Sequence, residues 1–98
     1  MYLIRFADGA VTDLDGVRAF DRSRILDEIE AQLADRPDVE TASRKMLVGF
    51  VPAFEHVPPV WQLRVGEYRV FYDVDAEASE VVVRAVKRKG RRRTGEVL

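Results

Sequence analysis

Apolar positions along the chain change their period near residue 60. Tyr2 to Phe6 is a short run rich in β-formers, closed by the turn signal Asp8-Gly9, and predicts a strand. Val11, Leu14, Val17 and Phe20 follow at helical spacing and predict a first short helix, with Gly16 inside it as a weak point. Asp21 suits an N-cap, because its carboxylate can accept from the free N–H groups of a first turn. Ile25, Leu26, Ile29 and Leu33 form one apolar stripe with Asp27, Glu28, Glu30 and Gln32 opposite, the pattern of a second helix that stops at Arg36-Pro37. Residues 38–60 are mixed: Lys45 to Val48 fits a short strand, and Pro52, Pro58 and Pro59 mark an irregular loop.

From Trp61 the period is two. Trp61, Leu63 and Val65 alternate with Gln62 and Arg64, and after Gly66-Glu67 the run resumes as Tyr68, Val70, Tyr72 and Val74. A glycine-first pair between alternating runs predicts a two-residue hairpin, with glycine supplying positive φ. Asp75 to Glu80 is a further turn, and Val81 to Val86 a last strand. The predicted order is β-α-α-β-β-β, an α+β fold with two N-terminal helices packed on one face of a small antiparallel sheet. The other face is then left to present side chains.

The turn fixes the hairpin register. Val65 pairs with Tyr68, Leu63 with Val70 and Trp61 with Tyr72, and these six share the core face. On the other face Arg64 stands opposite Arg69, and Gln62 opposite Phe71. Facing arginines repel at a cost of a few tenths to about 1 kcal/mol, and a phosphate between them would turn that cost into a gain, because guanidinium matches phosphate oxygens bidentately. The last strand ends in Lys87-Arg88-Lys89, with 87 and 89 on one face and Arg88 on the other. Its register is open, so either set could join Arg64 and Arg69. Lys45 and Arg91 are further cationic candidates, and Phe71 is available to stack a base, as single-stranded RNA recognition requires. The plain alternative is a solvated sheet face and a basic tail that contacts a protein partner. His56 lies among prolines, without an obvious carboxylate to orient it as a general base.

Composition narrows the classes. The chain of 98 residues fits one domain. It has no cysteine, which removes a disulfide scaffold, a thiolate metal site and a cysteine nucleophile. No apolar run reaches the length of a membrane span, and Met1 to Phe6 is too soon interrupted for a signal peptide, so a cytoplasmic protein without membrane contact is expected. No metal-ligand cluster or phosphate-binding glycine loop is visible, and no metal or cofactor is expected. The net charge of −1 conceals a split: residues 1–60 hold seven Lys/Arg against eleven Asp/Glu, and residues 61–98 hold nine against six. The basic half points to an anionic partner.

The stretch from Trp61 to Asp75 (WQLRVGEYRVFYDVD) resembles the central hairpin of RelE/ParE toxins. Glu40-Thr41 with Arg44-Lys45, Leu47 and Pro59 resembles the loop before it, Val83 to Lys89 the strand after it, and Ile25-Leu26-Asp27 with Leu33 the second helix. The resemblance implies the toxin of a type II toxin–antitoxin system, with a cognate antitoxin as partner in a hetero-oligomer. In the RelE branch it implies an endoribonuclease, an mRNA interferase that inhibits translation by cutting mRNA on the ribosome through 2′-hydroxyl attack on the adjacent phosphate. The alternatives are a non-enzymatic ParE-like inhibitor of DNA gyrase and a non-toxic binding module. By motif match Arg69 takes the place of the phosphate-binding arginine after the hairpin turn, and Lys89 or Arg88 that of the basic residue ending the last strand, with Arg64 alongside. Lys45, Lys87, Phe71 and Arg91 are the candidate RNA contacts. The sequence departs from RelE at the hairpin start, where Val60 and Gln62 stand in place of lysines, and it has no tyrosine after Tyr72. The general acid and base are therefore unassigned.

Overall fold

The computed structural model describes residues 1–89. The elements run β1 (Leu3–Phe6), α1 (Asp8–Asp15), α2 (Ala19–Leu33), β2 (Arg44–Leu47), β3 (Val60–Val65), β4 (Tyr68–Asp75) and β5 (Glu80–Arg88). They form a five-stranded sheet in the order β1-β5-β4-β3-β2. The α+β architecture agrees with the expectation from the sequence, with two amendments. Residues 44–47 are a full strand at the edge of the sheet. The sheet is also mixed rather than purely antiparallel: β1 runs parallel to β5, with Phe6 opposite Val83, and every other pair is antiparallel.

Helix boundaries follow local chemistry. Gly16 caps the C-terminus of α1 instead of lying within it. Arg22 then reaches back and donates to the carbonyls of Leu14 (3.0 Å), which also accepts the Val17 N–H, and of Val17 (2.8 Å), and so fastens the end of α1 to the start of α2. The N-cap of α2 is Arg18, not Asp21. Asp21 sits in the first turn, where its charge suits the helix dipole, and it accepts hydrogen bonds from Arg18 and the Tyr68 hydroxyl.

The main core lies between the helices and one sheet face. Ala10 and Leu14 of α1 and Ile25, Ile29 and Leu33 of α2 pack on Trp61, Leu63, Val65, Val70, Tyr72, Val81, Val83 and Val86. The hairpin register matches the one the turn dictates, from Val65↔Tyr68 to Trp61↔Tyr72, and Gly66 adopts φ +57°. Phe20 and Val11, placed on the first helix stripe by spacing alone, are exposed. The Tyr72 hydroxyl is buried against the Pro37 carbonyl at 2.7 Å, and burial, its largest influence, raises its pKa. Arg44 is buried on the helix side and donates to the Gln32 carbonyl, which fastens edge strand β2 to the end of α2.

The face away from the helices is only partly open. A strap of residues 48–59 crosses it and places Phe50 and Phe54 over Val60, Phe71 and Ala85. This second apolar cluster is small. A polar anchor secures its end: the buried Asp73 carboxylate accepts from Arg84 Nε (2.7 Å) and from the Val57 N–H (2.8 Å).

Candidate nucleic-acid interface

The uncovered part of that face lies beside the hairpin turn. There Lys45 of β2, Arg64 of β3, Arg69 of β4 and Lys89 just after β5 line a cleft of about 400 Å³. Its other walls come from the 41–44 turn, Leu47, Phe50 and Gln62, and no carboxylate among the described residues contributes to the lining. The convergence follows from strand pairing. Lys45 is opposite Gln62 and Arg64 opposite Arg69, so their side chains leave the sheet on the same side. Lys89 is held next to the turn by its backbone N–H, which donates to the Glu67 carbonyl at 2.7 Å.

Arg69 is fixed without being neutralised. Its guanidinium donates to the carbonyls of Gly66 and Tyr68, both at 2.9 Å. These neutral acceptors set its direction and leave its charge in place. Partial burial, and then the charge of Arg64, lowers its pKa from the ordinary arginine value. The second effect reflects positive charge crowded at this point, where an anion would be stabilised. None of the ion pairs among the described residues involves Lys45, Arg64, Arg69 or Lys89.

Other candidates lie elsewhere. Arg88 is opposite Tyr68, on the helix side of the sheet, and pairs with Glu67 at 3.0 Å, a bond that raises its pKa. It is not in the cleft. Lys87 is opposite Arg69, but its ammonium pairs with Asp13 of α1 at 3.3 Å. Asp13 also accepts the Val86 N–H along the free edge of β5, and so draws Lys87 away from the cleft. Phe71 is fully buried between Phe50 and Phe54, at ring-centroid distances of 5.7 and 5.6 Å, and has no face for a base. It belongs to the packing of the strap. Arg91 lies outside the described residues. His56 donates from Nδ1 to the Phe54 carbonyl (2.9 Å) and does not line the cleft.

Two features were missed from sequence. Gln62, placed by sequence on the non-core face opposite Phe71 but given no role there, lines the cleft between Lys45 and Phe71 in register. Phe50 was read as loop, yet it is half-buried and forms one wall. The signal for the strap was present: Phe71 and Ala85 are apolar on a face otherwise expected to be wet. Among the described residues no group of three or more His, Cys, Asp or Glu is arranged to hold a metal.

Comparison with known proteins agrees with this architecture. No curated protein matches the sequence. The toxin–antitoxin complex RelBE2 of Mycobacterium tuberculosis contains a chain with TM-score 0.72 and 23% identity, covering 89% of this chain and 90% of that one. The isolated RelE toxin of E. coli has TM-score 0.72 and 19% identity, covering 98% and 93%. The archaeal RelE–RelB complex of Pyrococcus horikoshii gives 0.70 and 22%, covering 93% and 98%. At these identities the likeness establishes the fold. The family model for the ParE toxin of the type II toxin–antitoxin system parDE matches residues 4–93. With that match spanning the hairpin, both helices and the last strand, the chain belongs to the ParE toxin family of type II toxin–antitoxin systems.

Proposed function

We propose that this toxin is an endoribonuclease that cuts mRNA on the ribosome, and that its cleft holds the scissile phosphate. The observation that carries this reading is the gathering of Lys45, Arg64, Arg69 and Lys89 around one cavity that no carboxylate of the described residues lines. In the reaction the 2′-hydroxyl oxygen forms a bond to the adjacent phosphorus and the bond to the 5′-oxygen breaks. The products are a cyclic phosphate and a free 5′-hydroxyl. Fixed cations that contact the non-bridging oxygens stabilise the charge that develops on them. Arg69, aimed by the turn carbonyls, is the principal such group, with Arg64 and Lys89 beside it. Among the described residues the lining offers Thr41 and Ser43 hydroxyls and the Gln62 amide, but no histidine, tyrosine or carboxylate. The cleft therefore supplies positioning and charge, and the protons pass to and from water or groups of the ribosome.

A cognate antitoxin neutralises the toxin in a hetero-oligomer. The solved complexes with similar folds hold a toxin with its RelB-type antitoxin. Two surfaces suit such a partner: the basic cleft, for acidic side chains, and an apolar groove of about 360 Å³ between β1 and α2, lined by Leu3, Ile4, Phe6, Leu26 and Ile29. No described helix is long and apolar enough to cross a membrane.

The second reading, a gyrase-binding inhibitor, is favoured by the family that the sequence matches. The same fold serves either target, so the site must decide. The test is induced expression with mapping of RNA ends. The nuclease reading expects new 5′-hydroxyl and cyclic phosphate ends within coding regions. It also expects Arg69→Ala to fold normally and to cleave about 10²- to 10³-fold more slowly, the usual effect of removing one transition-state donor. Gyrase-stabilised DNA breaks without RNA cleavage would select the second reading. Growth without arrest would leave a binding module.

A further inference from the structure

The cleft pairs its cations with an aromatic ring and an uncommitted amide. Phe50 is half-buried and forms part of the cleft wall. Its ring lies nearly parallel to Phe71, with centroids 5.7 Å apart and 20° between the planes, and Phe54 closes on Phe71 from another side at 5.6 Å. Phe71 is itself fully buried. The strap that carries Phe50 is secured by Asp73, which accepts from the Val57 N–H and from Arg84. Phe50 is thus an aromatic ring set on a rigid apolar base, at the edge of a cationic cavity. Gln62 stands on the same wall, opposite Lys45 on one neighbouring strand and Phe71 on the other. Its carboxamide takes part in none of the side-chain hydrogen bonds among the described residues, so both donor and acceptor are available.

We propose that Phe50 and Gln62 form a nucleobase subsite beside the phosphate-binding cations, in which an unpaired base stacks on Phe50 and presents an edge to the Gln62 amide. The proposal rests on the reading of the cleft as an RNA site and assigns what that reading lacks: the aromatic platform expected of Phe71. Four cations alone would hold any phosphodiester, because phosphate contacts carry no sequence information. A ring and an amide next to them require a base splayed out of its stack, the form in which single-stranded RNA is recognised. Glutamine's paired donor and acceptor match the edge of adenine best, so the subsite should favour a purine with that pattern. Preassembly matters here, because a ring already packed on one side loses little freedom when a base covers the other.

The test uses the full chain, freed from its antitoxin, and a short single-stranded oligoribonucleotide carrying one 2-aminopurine, with an otherwise identical abasic oligonucleotide as control. For the wild type we expect quenching of 2-aminopurine fluorescence on binding, and binding about five- to a hundredfold tighter than the abasic control, the range of a base–aromatic stack. Phe50→Leu should fold, lose the quenching and bind both oligonucleotides alike, and Phe50→Tyr should retain the wild-type preference. With adenine, guanine, cytosine or uracil placed at that position instead, the wild type should bind the adenine oligonucleotide tightest, and Gln62→Ala should keep the 2-aminopurine quenching but lose that preference. If the wild type binds neither oligonucleotide, the RNA reading of the cleft falls and the subsite with it. If the wild type binds and Arg69→Ala weakens that binding, but Phe50→Leu keeps the quenching and the preference, the cations stand and the subsite is overturned.

Discussion

The two ends of the sheet face opposite the helices use arginine in opposite ways. At the strap end, Arg84 is tied to the buried Asp73 carboxylate at 2.7 Å and approaches Glu55 at 3.7 Å. At the hairpin end, Arg69 is tied only to main-chain carbonyls and faces Arg64 across the strand pair. The first arrangement neutralises a charge and seals a small apolar cluster. The second holds a charge in position and leaves it available. What separates them is a carboxylate within reach. The same principle sorts the terminal basic run: Asp13 takes Lys87, Glu67 takes Arg88, and Lys89 goes to the cleft.

Substitutions at each end should give different kinds of defect. Asp73→Ala strands a largely buried guanidinium and removes the acceptor of the Val57 N–H. The expected loss is about 3–5 kcal/mol of stability, the usual result of breaking a buried pair on one side, read from urea denaturation. An unchanged midpoint would mean that the strap does not depend on this pair. Arg64→Ala should act in the reverse sense. It relieves the repulsion with Arg69 and should raise stability by a few tenths of a kcal/mol, while weakening RNA binding. A destabilised variant that binds RNA normally would place Arg64 in the structural class with Arg84. The smallest effect is expected at Arg88→Ala, whose exposed partner Glu67 lies outside the cleft. Melting temperature and RNA cleavage should both match the wild type, and a loss of cleavage would return Arg88 to the site.

The hairpin was legible because a two-residue turn and strict alternation leave one register. The core face of β3 and β4 followed residue by residue. The second helix was legible in its stripe, though its start was misplaced, because Asp21 serves equally well within the first turn as before it. The parallel pairing of β1 with β5 joins segments more than seventy residues apart, and no local pattern encodes it. The register of β5 was hidden for a different reason. Phe71 pairs with Ala85 while Tyr72 pairs with Val83, so Arg84 is an extra residue that breaks the alternation on that strand. The strap carries no period at all, and its aromatic residues are meaningful only once Phe71 is known to lie beneath them. Of the site, Arg64, Arg69, Lys45 and Lys89 could be named from sequence. Gln62 and Phe50 could not, because their roles depend on what remains uncovered.

The account turns on phosphate groups meeting the four cations of the cleft, which no carboxylate among the described residues pairs with. The direct measurement is the salt dependence of binding to a single-stranded oligoribonucleotide. Four phosphate contacts predict a slope of log affinity against log salt of about −3, and each single substitution to glutamine at Lys45, Arg64, Arg69 or Lys89 should make it shallower by about 0.7. A wild-type slope near zero, or one that none of the four substitutions alters, would contradict the assignment of this cavity as the place where RNA binds.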